Sequence, residues 1–120
     1  MIAPKFPIDE AQRLAAVRSY HLLDTLPEKD FDNITALTAN ICDVPISLVT
    51  LLDADRNFLK SHYGIPFNES PRDISFCGHA ILEESNIFII EDARKDDRFK
   101  DNPLVTDMNA IFYAGVRLVN

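Results

Sequence analysis

The spacing of apolar residues changes several times along the chain, and each change marks an element. Leu14, Val17 and Leu22 recur at helical spacing with Arg13 and Arg18 outside the stripe, which predicts a helix over Glu10 to Leu23 opened by Asp9. Phe31, Ile34, Leu37, Thr38 and Ile41 follow at three- and four-residue intervals, so a second helix is expected from about Leu26 to Asp43 with that face buried. Thr25 and Glu28 have the spacing of a capping box, Pro27 is tolerated in a first turn, and Pro45 forbids continuation. From Pro45 to Leu52 the period becomes two and both faces are apolar or β-branched, as in a strand covered on both sides. Asp53 to Asn57 reads as a turn, and Phe58 to Tyr63 as a second strand antiparallel to the first.

The second half is more polar between its apolar runs. Gly64 to Ser70 is a connection. A short helix to Glu83 then opens at Ser70 or, alternatively, at Ser75, with Cys77 and Ile81 on one face and His79 and Glu83 on another. Gly78 weakens that helix by about 1 kcal/mol relative to alanine, or marks the close approach of a neighbour or ligand to the backbone. Ile87 to Ile90 is a short, fully buried strand in expectation. Glu91 to Pro103 is polar, with Phe99 its only large apolar residue, and reads as a loop containing a turn or two of helix. Ile111 to Val119 is the last strand, and Met1 to Ile8, with Pro4 and Pro7, an extended lead-in. Antiparallel neighbours at the front and helices beside them make the class α+β.

Composition narrows the partners rather than the fold. At 120 residues the chain fits one domain with its own core. Twelve basic against nineteen acidic residues give a net charge of −7, which argues against nucleic acid or an anionic membrane surface. No apolar run approaches the roughly 20 residues of a membrane span and no signal-peptide pattern opens the chain, so a reducing cytoplasm is expected. Two cysteines, Cys42 and Cys77, make neither a disulfide framework nor a metal set, and they are expected to stay unbridged. The Asp53–Asn57 turn lacks the glycine and closing glutamate of a calcium loop.

Taken together the motifs resemble bacterial GAF sensor domains. The resemblance is carried by Arg13-Leu-Ala-Ala16, Leu22-Leu-Asp-Thr-Leu-Pro-Glu28 with Phe31-Asp32, and Val44 to Arg56. It continues through Pro71-Arg-Asp-Ile-Ser-Phe-Cys-Gly-His-Ala-Ile81, Asp92 to Phe99, Asp101 to Val105 and Ile111 to Leu118. It implies a GAF-like, PAS-related central and mainly antiparallel sheet. The N-terminal helices lie on one face, and a pocket-covering helix and loops on the other. It also implies a signal-input module of the kind fused to histidine kinases or diguanylate cyclases. GAF domains usually continue with two more strands and an exit helix beyond the equivalent of Val119. The expectation is therefore a single domain over 1–120, either a fragment of a longer sensor or one completed by another chain.

The same resemblance carries candidate ligand-binding residues onto Arg72, Asp73, Phe76, Cys77, His79, Asp92 and Tyr113. The residues themselves support a pocket, because Arg72 and Asp73 are costly to bury unless paired yet stand among strong apolar neighbours. The simpler reading is that both tie down a loop above Phe76. Expected partners are an unidentified small molecule, a C-terminal output domain and a second copy, through a sheet edge or the Leu14/Val17 stripe. Neither a cofactor nor a metal is expected. The enzymatic alternative is a free methionine sulfoxide reductase using Cys77 beside His79, with Cys42 as resolving thiol. Bilin attachment at Cys77 and zinc binding by Cys77, His79 and Asp73 fit the pattern less well: Gly78 separates the Cys from the His, and no second cluster completes four ligands.

Overall fold

A left-handed residue closes each of the first two helices. In the computed structural model, which describes residues 1–119, helix α1 (Glu10–Ser19) ends at Tyr20, after which His21 takes φ 54°. A residue in that conformation ends a helix, so α1 stops short of the predicted Leu23. Helix α2 (Lys29–Cys42) ends likewise at Asp43, φ 51°, with the Val44 N–H returning to the Ala39 carbonyl. Strands β1 (Ser47–Leu52) and β2 (Arg56–Tyr63) pair antiparallel as expected, and β3 (Glu69–Pro71) extends this sheet in the order β1-β2-β3. A 3₁₀ turn Arg72–Ile74 leads to helix α3 (Phe76–Ala80), then strand β4 (Ile87–Ile90). A second 3₁₀ turn Ala93–Lys95, helix α4 (Pro103–Thr106) and strand β5 (Tyr113–Val116) complete the order.

The chain divides into two compact units. The α1–β3 unit comprises Asp9–Ser70; the α3–β5 unit comprises Met1–Ile8 together with the chain from Pro71 onward. The class is α+β, but the expected single central sheet is replaced by a three-stranded sheet and a separate two-stranded one. The local reason is that β4 finds its partner in β5, with Ile87 opposite Val116 and Ile90 opposite Tyr113.

In the α1–β3 unit, α2 packs on β1 and β2, and the residues it buries are Thr35 and Ala39. The predicted face is corrected here. Ile34, Leu37 and Ile41 are exposed, and Phe31 is half-buried. The Thr35 hydroxyl bonds Ser61 Oγ at 2.9 Å, and small residues at 35 and 39 let helix and hairpin approach closely. The capping box is corrected as well. Glu28, in extended conformation, precedes the helix without a side-chain cap, and the Thr25 hydroxyl donates to the Leu22 carbonyl instead. Pro27 disfavours helical geometry at Leu26, so the helix begins after it.

In the α3–β5 unit the core is Phe76, Ala80, Phe88, Ile90, Ala93, Phe99 and Val105. Phe76 meets Phe99 edge-on at 4.7 Å between ring centres. Ser75 is the cap that opens α3, its Oγ accepting the Gly78 N–H at 3.0 Å and donating to the Arg72 carbonyl at 2.8 Å. Strand β4 is not fully buried as expected: Phe88 and Ile90 point into the core while Ile87 and Ile89 are exposed. The alternation follows from a two-stranded sheet with one face on a core.

Candidate functional site

Chemistry-bearing side chains gather at one place in each unit. In the α1–β3 unit the organising feature is an irregularity in the hairpin. Val49 pairs with Ser61 and Thr50 with Leu59, which leaves Lys60 as an extra residue on β2. A bulge of this kind re-aims a side chain. Lys60 and Ser61, though adjacent, therefore reach the segment before α2 and the helix itself respectively. Ser61 Oγ donates to Asp32 at 2.6 Å. The Lys60 ammonium reaches Thr25 Oγ1 at 2.6 Å, the Leu26 carbonyl at 2.6 Å and the Glu28 carboxylate at 2.7 Å. With its side chain only 1% exposed, those three oxygens are what make the charge tolerable.

Beside this lysine lies a cavity of about 610 Å³, bounded by residues 24–27, Asp32, strand positions 58–62 and residues 67–69. The volume is that of a small-molecule site. Lys60 in its lining is engaged as above, and two lining carboxylates, Asp24 at 2.7 Å and Glu69 at 2.8 Å, are held by Arg56, which also bonds Asp53 at 3.0 Å. Hydrogen bonding to Arg56 holds the Asp24 carboxyl below its usual value. The lining therefore offers carboxylate, amide and hydroxyl groups at Asp32, Asn68 and Ser61, together with the rings of Phe58 and Phe67. That chemistry suits a ligand that donates hydrogen bonds and has an apolar body better than it suits an anion.

In the α3–β5 unit the seven sequence-predicted residues separate into groups. Phe76, Cys77, His79 and Tyr113 come together. Tyr113 lies 5.1 Å from Phe76 between ring centres and its hydroxyl 3.5 Å from Cys77 Sγ, while His79 meets Phe99 at 4.8 Å. Burial pushes the Tyr113 hydroxyl well above its ordinary pKa, with the Cys77 sulfur adding to the effect. Burial pushes His79 down, against the opposing influence of its hydrogen bond to the Ile2 carbonyl at 2.9 Å. Arg72 is buried, with its guanidinium 4.3 Å from the centre of the Phe6 ring, and Asp73 is exposed. Asp92 accepts the Arg94 N–H as cap of the second 3₁₀ turn and bonds the Arg94 guanidinium at 2.8 Å, which draws its pKa down to about 2. Cys77 and Cys42 are not joined in a disulfide, and Cys42 is an exposed residue of α2 in the other unit.

Sequence reasoning passed over Lys60 and the cavity beside it. The available signal was a lysine set between Phe58-Leu59 and Ser61 in an otherwise apolar strand, a position where a charge needs a partner.

Comparison with known proteins points to signalling. No protein-family profile matches the chain. Over 119 residues, 98% of its length, it is 37% identical to a cyclic di-GMP phosphodiesterase of Pseudomonas aeruginosa. The matched stretch is 20% of that relative, so the chain spans about one fifth of the length of the curated protein it matches. The likeness is thus to one part of a signalling protein.

Proposed function

We propose that this chain is a GAF-type sensory domain that binds a small molecule and passes its occupancy to an output domain of the same signalling protein. The observation that carries the reading is the end-to-end likeness to one fifth of a cyclic di-GMP phosphodiesterase. The likeness covers one part of that relative, and the activity in its name is not transferred to this chain. The ordered motifs from Arg13 to Leu118 support the GAF assignment. The cavity beside Lys60 supports ligand binding, and its lining favours a neutral or cationic hydrogen-bond donor. The role is binding rather than catalysis, in the cytoplasm. Among the described residues no helix is long and apolar enough to cross a membrane.

Arg72, Asp73, Phe76, Cys77, His79, Asp92 and Tyr113 stand in this reading as a second candidate lining, centred on α3. A ligand screen by thermal shift on the wild-type protein tests the proposal, followed by Asn68→Trp to fill the cavity and Cys77→Phe to fill the space beside Tyr113. A ligand whose stabilisation is abolished by Asn68→Trp alone binds at the cavity. Abolition by Cys77→Phe alone assigns it to the α3 residues. A broad screen of amines, nucleotides and other small metabolites with no stabilising member would overturn the sensory reading.

A further inference from the structure

The N-terminal lead-in is docked on α3 in a way that neither the sensory reading nor the core of its unit requires. Residues 1–7 form no helix or strand. Ile2, Pro4 and Phe6 of this stretch nevertheless touch the folded part of the α3–β5 unit, and the Met1 ammonium pairs with the Asp101 carboxylate. The Ile2 N–H donates to the Arg98 carbonyl at 3.0 Å, and the Ile2 carbonyl meets His79 Nε2 at 2.9 Å. Pro4 lies on Gly78 so closely that a β-carbon there would fall 2.5 Å from Pro4 Cγ. The Phe6 ring lies over the Arg72 guanidinium at 4.3 Å. Ala3 and Lys5, between these contacts, are exposed.

The two sides of this contact differ in burial. Arg72, Gly78 and His79 are buried and held by elements of their own. The occupant lies on the surface: Ile2 is 52% and Phe6 64% exposed. A segment that touches its support in turn through Ile2, Pro4 and Phe6 has the spacing of a bound peptide strand. Gly78 fits this account. Alanine would favour helix α3 by about 0.5–1 kcal/mol, yet a β-carbon there would fall 2.5 Å from Pro4 Cγ, with Ser75 Oγ at 3.0 Å as its other close neighbour.

We propose that Arg72, Gly78, His79 and the Arg98 carbonyl form a docking groove for an extended peptide with a proline two residues before an aromatic one. Residues 1–8 of this chain occupy that groove in cis as a releasable strap. Release uncovers the Arg72 and His79 surface without unfolding the core around Phe99.

Two variants of the full chain separate this from a merely structural role. Pro4→Ser with Phe6→Ala loosens the strap and leaves the groove open, whereas Gly78→Ala loosens the strap and blocks the groove. Both are expected to be cut by trypsin after Lys5 at least tenfold faster than wild type, with unchanged near-ultraviolet dichroism. A fluorescent peptide of residues 1–8 is expected to bind the Pro4/Phe6 variant at least tenfold more tightly than wild type, and not to bind the Gly78 variant. Equal cleavage of all three proteins overturns the proposal, as does equal peptide affinity for both variants or binding to neither. Should the variants not fold, amide exchange of the wild type decides. Exchange of the Ile2 amide independently of the Phe99 amide supports a releasable strap; exchange of both only in global unfolding refutes it.

Discussion

Lys60 holds a charge in a nearly closed position because a bulge turns it toward three oxygens. The ammonium also stands 5.8 Å from the centre of the Phe31 ring. The partner oxygens belong to Thr25, Leu26 and Glu28, all on exposed residues, so water can replace the ammonium if it is removed. Lys60→Met, which keeps the stem, is therefore expected to cost less than about 1.5 kcal/mol. Lys60→Ala, which also removes the stem, is expected to cost about 2–4 kcal/mol. Urea denaturation of the two variants compares them, and equal losses would mean that the charge outweighs the packing.

His79 makes a second residue-scale prediction. Burial lowers its pKa below the ordinary value of 6.5, so near and below that value the unfolded chain binds more protons than the folded one. Stability is then fully present above about pH 6.5 and falls as the pH drops toward the folded-state pKa. The charged groups acting on the ring are Arg98, Asp96 and Glu83. Melting midpoints from pH 7.5 to 5 should decline in the wild type and decline less in His79→Gln. Parallel curves would mean that His79 titrates as it does in the unfolded chain.

At the scale of elements, the two shortest helices depend on side-chain caps. Asn102, which is 2% exposed, opens α4 by accepting the Leu104 N–H at 2.9 Å. Its amide also donates to the Ile74 carbonyl at 2.9 Å. Asn102→Ala removes both bonds and is expected to cost about 2–3 kcal/mol. Asn102→Asp keeps the cap and loses the donor, so it should fall between wild type and alanine in thermal melts; equality with alanine would show that the bond to Ile74 dominates. Thr25→Ala, by contrast, should leave amide exchange in the first turn of α2 unchanged, since Thr25 serves Lys60 and Leu22 rather than the helix. Faster exchange at Asp32, whose N–H meets the Glu28 carbonyl, would restore the capping-box reading.

At the scale of the molecule, α2 carries an exposed apolar stripe, Ile34, Leu37 and Ile41, of the kind through which copies associate. Leu14 and Val17, the stripe expected from sequence, are half-buried. Light scattering across concentrations should show self-association of the wild type, reduced in Leu37→Lys with Ile41→Lys. A wild-type chain that stays monomeric at every concentration would sink this expectation.

The sequence by itself determined the kinds of element and nearly all their order, because helical periodicity, proline breaks and turn residues act over a few neighbours. The β1–β2 hairpin, the bounds of β4, the Ser75 alternative for α3 and the close approach at Gly78 were all legible in that way. Tertiary structure alone decided which face of α2 meets the sheet, since the neighbouring phases 31/35/39 and 34/37/41 both have helical spacing. It also decided the division of the strands into separate sheets, the turning of Lys60 toward the α2 segment, and the diversion of Thr25 from cap to partner. Each of these outcomes rests on contacts between residues distant in the chain, so no local pattern specifies it.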